Sequence, residues 1–301
     1  VFRLPATLLA AVTAAVVVCA PVVGAEADIP GYREYVALGD SYTADVFTSL
    51  PPTTEFVPFN CDQSATDYPH QVAVALRVAV FRDASCGGAK TDNMAGPQTV
   101  PLGVNPPQFD RLTPTTDLVT VGIGGNDLRL QELIDRCRDL GTLLPGASTS
   151  NSNGCQDSRD AFAALVAATT PKVTAVLAQI HERSPRARVL LVNYLNAVPI
   201  DGKGCPPSLP VHDDDVAYLA STMAELNTML TRVAAEANVE LVDTYGPSLG
   251  HDVCRSPEDR YIEGLVPFSA KNPQLLAFPF HPNAAGAAAQ TRAVLAAITE
   301  R

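Results

Sequence analysis

Leu118-Val119-Thr120-Val121-Gly122-Ile123, followed at once by Gly124-Gly125-Asn126-Asp127, is the stretch on which the fold turns. It is uncharged and rich in β-branched residues, and it shows no alternation of apolar and polar positions. That is the pattern of a strand buried on both faces in a parallel sheet. The two glycines close it, and Asn126 is expected to open a helix through Arg136. Working outward, Tyr35-Val36-Ala37-Leu38 ends in Gly39 and reads the same way, as do Arg188–Val192, Val239–Val242 and a shorter segment at Val78–Phe81. Between them lie helical patterns at Tyr68–Val80, Asp160–Arg183, Asp213–Ala237 and Ala284–Thr299. Strands alternating with helices predict an α/β sandwich around a central, mainly parallel sheet.

The 301 residues, 47% hydrophobic and 18% charged, are enough to bury a large core, and no composition break divides them. Lys+Arg 21 against Asp+Glu 32 gives a net charge of −11, which argues against a nucleic-acid partner. Arg3, the apolar run Ala6–Ala20 and the small residues of Val23-Gly24-Ala25 form a signal-peptide pattern, so residues 1–25 are expected to be cleaved and 26–301 to form a single domain. Pro21 and Gly24 interrupt the run, so no stable membrane span is expected after cleavage. Cleavage removes Cys19 and turns seven cysteines into six, an even number suited to disulfides in a secreted or envelope-associated protein. Six cysteines allow 15 pairings. Their spacing suggests neighbours in order: Cys61–Cys86, Cys137–Cys155 and Cys205–Cys254. No CxxC or HxxxH spacing occurs, so neither a metal nor another cofactor is expected.

In an open parallel sheet, ligands bind beyond the carboxyl ends of the strands. Gly39-Asp40-Ser41, Cys86-Gly87-Gly88-Ala89 and Gly122–Asp127 are expected there, with His281 in Phe280-His281-Pro282-Asn283 before the last helix. Ser41 needs a base before it can act as a nucleophile. Acyl transfer also needs donors that converge on the carbonyl oxygen. Gly88 offers an unobstructed N–H and Asn126 a side-chain amide. Taken singly, Ser41 reads as a helix N-cap, Gly88 as a turn glycine and Asn126 as another cap; together they read as a site. Of five histidines, His281 alone is placed to return to Ser41, and His70, His181, His212 and His251 read as surface residues.

Gly39-Asp40-Ser41-Tyr42, Gly88, Gly124-Gly125-Asn126-Asp127 and His281-Pro282 resemble, in order, the four blocks of the SGNH or GDSL-type hydrolases. The cysteines and Tyr42 resemble in particular their secreted actinobacterial lipase and esterase branch. The resemblance implies a flavodoxin-like three-layer α/β/α sandwich and an esterase or lipase that cleaves acyl esters, including lipids, through an acyl-enzyme; a monomer is expected, though no residue pattern carries that expectation. It implies Ser41 as nucleophile, His281 as base, and the N–H groups of Ser41 and Gly88 with the Asn126 amide as oxyanion hole. The Asp usual three residues before the histidine is replaced by Phe278, so the Phe278 main-chain carbonyl is expected to orient His281. Asp45 and Lys90 depart from the usual small residues and are expected to alter the pocket entrance. Two other readings fit part of the pattern: an inactive binding protein on this fold, and a metal-dependent phosphoesterase.

Overall fold

A computed structural model describes residues 31–138, 159–266 and 277–300. The expected signal segment and Cys155 lie outside these residues. The central sheet has five strands: β1 (Glu34–Gly39), β2 (Val80–Asp83), β5 (Leu118–Gly122), β6 (Arg188–Val192) and β7 (Glu240–Val242), in the spatial order β2-β1-β5-β6-β7. Every pairing is parallel, with Tyr35 beside Leu118 and Gly39 beside Gly122 in the central pair. Counted along the chain, these five strands follow the doubly wound order 2-1-3-4-5, whose switch point lies between the first and third. In this chain that crevice is between β1 and β5.

Alternate strand residues serve the two faces. Tyr35, Ala37, Leu190 and Val192 are buried with Val72 and Leu76 of α1 (Tyr68–Leu76) and Val294 and Ile298 of the last helix, α6 (Ala284–Thr299). Val36, Leu38, Val119, Val121, Val189 and Leu191 share the opposite core with α3 (Arg159–Arg183) and α4 (Asp213–Glu236). The result is three layers, with the sheet between two helical faces. Helix α3 is long and apolar enough to cross a membrane on length and composition. Its Val173, Val176, Leu177 and Ile180 are buried in this second core.

Two helices are shorter than their sequence pattern, each for a local reason. Helix α1 is capped by the Asp67 side chain and stops at Leu76, because Arg77 turns left-handed at φ 53°. Helix α2 (Leu130–Cys137) starts four residues after Asn126, because residues 126–129 form a turn that ends with Arg129 at φ 57°. Between β2 and β5 the chain forms a hairpin of β3 (Gln98–Val100) and β4 (Gly103–Asn105), which no segment of the sequence pattern indicated. Strands of three residues are too short to show a period in the sequence. A single turn, α5 (Tyr245–Ser248), follows β7.

Candidate active site

Ser41 sits two residues beyond β1, at the switch point. The turn that lifts it depends on Gly39, where a Cβ would come within 2.1 Å of Thr43 Oγ1 and 2.8 Å of the Gly122 carbonyl oxygen. The end of β1 is therefore pressed against the Ser41 turn and β5 too closely for any side chain. Gln108 holds the same glycine from outside: the Gly39 N–H donates to its Oε1 at 2.8 Å, and its Nε2 donates to the Gly39 carbonyl at 2.8 Å. Nothing in the sequence marks Gln108, because its partner is main chain nearly seventy residues away.

Asp40 ties this turn to the neighbouring loops. Its Oδ1 accepts the Tyr42 N–H at 3.0 Å, its Oδ2 accepts the Tyr194 hydroxyl, and that hydroxyl accepts the Gly125 N–H at 2.9 Å. Three loops, after β1, β5 and β6, thus converge through one carboxyl group. Burial pushes the Asp40 carboxyl up to about 7, against the lowering effect of the Tyr194 and Tyr42 hydrogen bonds.

The glycine and the asparagine come to the same place. Gly88 adopts φ 74°, a conformation that L side chains seldom take. The loop before it is anchored by the Cys61–Cys86 disulfide and by the Gly87 N–H donating to the Cys61 carbonyl at 2.8 Å. The Asn126 Nδ2 donates to the Ala89 carbonyl at 2.9 Å, joining this loop to the one after β5. An amide nitrogen carries two protons, so a second donor remains. Neither Ser41 N–H nor Gly88 N–H has an acceptor among the described residues.

His281 arrives from the other end of the chain. Its Nε2 lies 2.8 Å from Ser41 Oγ, and its Nδ1 lies 2.9 Å from the Pro279 carbonyl oxygen. The expectation for Phe278 is corrected here: its carbonyl accepts the His281 backbone N–H at 3.1 Å and is taken up by the turn. The Phe278 side chain, 41% exposed, instead sets its ring edge against His281 and stacks on Phe47. Burial lowers the His281 pKa to about 4, opposed by the Pro279 carbonyl, which favours a proton on the ring.

The loop that carries His281 has its own fastenings. The Glu263 N–H donates to the His281 carbonyl at 3.0 Å, and the Phe280 N–H to the Glu263 carbonyl at 2.8 Å. Glu263 pairs with Arg260 at 2.7 Å, and both side chains are buried. The Asn283 amide donates to Glu263 Oε1 at 3.1 Å while its oxygen caps α6. From the nucleophile side, the Tyr42 hydroxyl donates to the Phe280 carbonyl at 2.8 Å.

Ser41, Asn126 and His281 line one pocket, whose apolar wall includes Leu130, Ile134, Met223 and Phe280. Lys90 is exposed at the start of a short turn. Asp45 is fully buried and does not line the pocket, so the expected effect of its charge at the entrance does not apply. His70, expected at the surface, is mostly buried against Asp67. Cys205 is bonded to Cys254, and Cys137 is disulfide-bonded as well.

Residues 37–289 match the sequence profile of the GDSL-like lipase/acylhydrolase family. The chain belongs to that family. Among its relatives, Lipase 2 of Streptomyces coelicolor is 35% identical over 259 residues, 84% of this chain and 81% of the relative. An esterase of Streptomyces scabiei is 28% identical, over 88% of this chain and 85% of its own length. In fold the chain is similar to phospholipase A1 of Streptomyces albidoflavus, at 21% identity and TM-score 0.62 over 87% of this chain and 98% of that one. It is also similar to the extracellular lipase of Streptomyces rimosus, at 21% identity and TM-score 0.61 over 88% and 99%. The chain is thus a carboxylic-ester hydrolase with the SGNH fold.

Proposed function

We propose that Ser41 is the nucleophile and His281 the general base of an exported esterase or lipase. One observation carries the reading: the 2.8 Å approach of His281 Nε2 to Ser41 Oγ, beside two backbone N–H groups without acceptors. His281 takes the Ser41 proton as Oγ attacks the ester carbonyl. The Ser41 and Gly88 N–H groups and the second proton of the Asn126 amide stabilise the oxyanion. The imidazolium then protonates the departing alcohol, and the acyl-enzyme is hydrolysed by water, with His281 again as base. The Pro279 carbonyl fixes the tautomer, with the proton on Nδ1, as a carboxylate does in a triad. Being neutral, it stabilises the imidazolium less.

The substrate we propose is an acyl ester of lipid type, its chain lying along Leu130, Ile134 and Met223. The relatives bear the names lipase and esterase. Disulfides suit an oxidising compartment, and we propose that residues 1–25 are the export signal and 26–301 one domain. Both reacting groups come from a single chain, so the site is complete in a monomer.

A fluorophosphonate probe tests the assignment. It should label wild-type protein at Ser41, and Ser41→Ala should lose both labelling and turnover of a short-chain aryl ester. Absence of labelling in the wild type would favour a binding protein. Unchanged turnover in Ser41→Ala would end the proposal.

A further inference from the structure

A second polar cluster lies under α1, away from the pocket. Asp45, Asp67 and Asp83 are each fully buried. Each has one carboxylate oxygen held by a backbone N–H: Asp45 Oδ2 by Tyr68 at 2.8 Å, Asp67 Oδ1 by His70 at 2.9 Å, and Asp83 Oδ1 by Ser85 at 2.8 Å. The other oxygen of each, Asp45 Oδ1, Asp67 Oδ2 and Asp83 Oδ2, is buried with no hydrogen-bond partner. Among the described residues no Lys or Arg pairs with any of the three; His70 is their one basic neighbour. Unpaired buried carboxylate oxygens are costly. Protons or a cation must offset them.

The donor geometry favours a cation. His70 Nδ1 lies 2.6 Å from Asp67 Oδ1 and 3.9 Å from Asp83 Oδ2, and one ligand atom from each residue falls within 4.8 Å of the others. Donors on a tetrahedral ion at 2.0–2.1 Å are separated by about 3.3 Å, a spacing these contacts bracket. The His70 ring is held by Phe56 and Phe81, and the carboxylates by their N–H donors, so the donors are ordered in advance. One imidazole with carboxylates suits a borderline ion such as zinc better than calcium or magnesium.

We propose that Asp67, His70 and Asp83 bind a divalent transition-metal ion of the zinc class, which braces the start of α1 against β2. The ion is structural, since neither Ser41 nor His281 belongs to the cluster. Metal bonding at His70 Nδ1 replaces the hydrogen-bond contact that this atom makes with Asp67 Oδ1.

Metal content and melting temperature test this without reference to hydrolysis. Whole protein dialysed against zinc sulfate and then metal-free buffer should retain about one zinc per chain by plasma mass spectrometry. Its Tm should rise by about 5 °C in zinc at a hundred times Kd, reversibly with chelator. His70→Gln keeps the backbone N–H that Asp67 caps, and should fold yet lose at least ten-fold in zinc affinity. Asp83→Asn provides a second comparison with the same expectation. No retained zinc and no Tm change in the wild type would overturn the proposal. So would uptake undiminished in both variants, which would place the ion elsewhere.

Discussion

The two halves of the candidate site are held in different ways. Ser41 stands on the sheet: Gly39 and Gly122 are paired in register, the Asp40 N–H donates to the Gly122 carbonyl at 3.1 Å, and a side chain at Gly39 would collide with its neighbours. His281 stands off the sheet, in a turn tied to an isolated bridge between Ile262 and Pro282 and to the buried Arg260–Glu263 pair. The nucleophile is positioned by backbone geometry that propagates from the strands. The base is positioned by a loop whose backbone bonds are backed by side chains that can be removed, Glu263 and Arg260 among them. Substitutions should therefore separate the halves, with losses of chemistry on one side and losses of placement on the other.

The largest effect should come from the base itself. His281→Ala should lower kcat for a short-chain aryl ester about 10⁶-fold, near the loss from Ser41→Ala, because the pair acts as one unit. A double variant no worse than either single one would show that unity; additive losses would break it. Asn126→Ala comes next, at about 10²–10³ in kcat with little change in KM, as for loss of one oxyanion donor. Since the Asn126 amide also holds the Ala89 carbonyl, Asn126→Asp should fare no better, having an acceptor where two donors are needed.

Glu263→Gln probes placement. It removes the negative charge beside a buried guanidinium, a change of the kind that costs about 3–5 kcal/mol. The expected signature is a lowered Tm with a loss of kcat smaller than in either variant above, while fluorophosphonate still labels the surviving folded protein. Equal losses of labelling and kcat without a change in Tm would mean that Glu263 acts on the chemistry directly. On the nucleophile side the matching test is reduction of Cys61–Cys86, which should loosen the Gly88 loop and lower both Tm and kcat.

This division also explains what could be read from the sequence. The strands β1, β5 and β6 were legible as apolar runs because a parallel sheet buried on both faces leaves no alternation to confuse them. Ser41, Gly88, Asn126 and His281 were legible because they lie in unusual turns at the ends of such runs or before a helix. Gln108, Tyr194 and Glu263 were not, since a polar residue in a loop shows no sign of a buried partner far along the chain. Pro279 was missed for a subtler reason: a main-chain carbonyl is present at every position, and only the turn geometry decides which one faces Nδ1. His70 looked like a surface residue because it lies in a helical pattern with no polar glycine turn beside it, and Phe81 and Asp83, which lie against its ring, belong to the following strand.

The smallest expected effect, and the sharpest on the comparison, is the dependence on pH. A buried His281 with its pKa near 4 is already neutral, and so competent as a base, well below the ordinary histidine value. The acid limb of kcat/KM should thus fall near pH 4 rather than between 6 and 7. Its effect on stability has the same sign: the unfolded histidine takes a proton near pH 6.5 and the folded one does not, so stability is lost as pH falls from 6.5 through 4. Asp40 runs the other way. Its folded pKa of about 7 exceeds the ordinary aspartate value of 3.8, so its contribution is complete below 3.8 and is lost as pH rises through 7. Asp40→Asn should remove that second dependence, flattening Tm between pH 5 and 8, while leaving the acid limb of kcat/KM in place. If the acid limb moved with it, the titrating group would belong to the nucleophile half, and the assignment of the limb to His281 would fail.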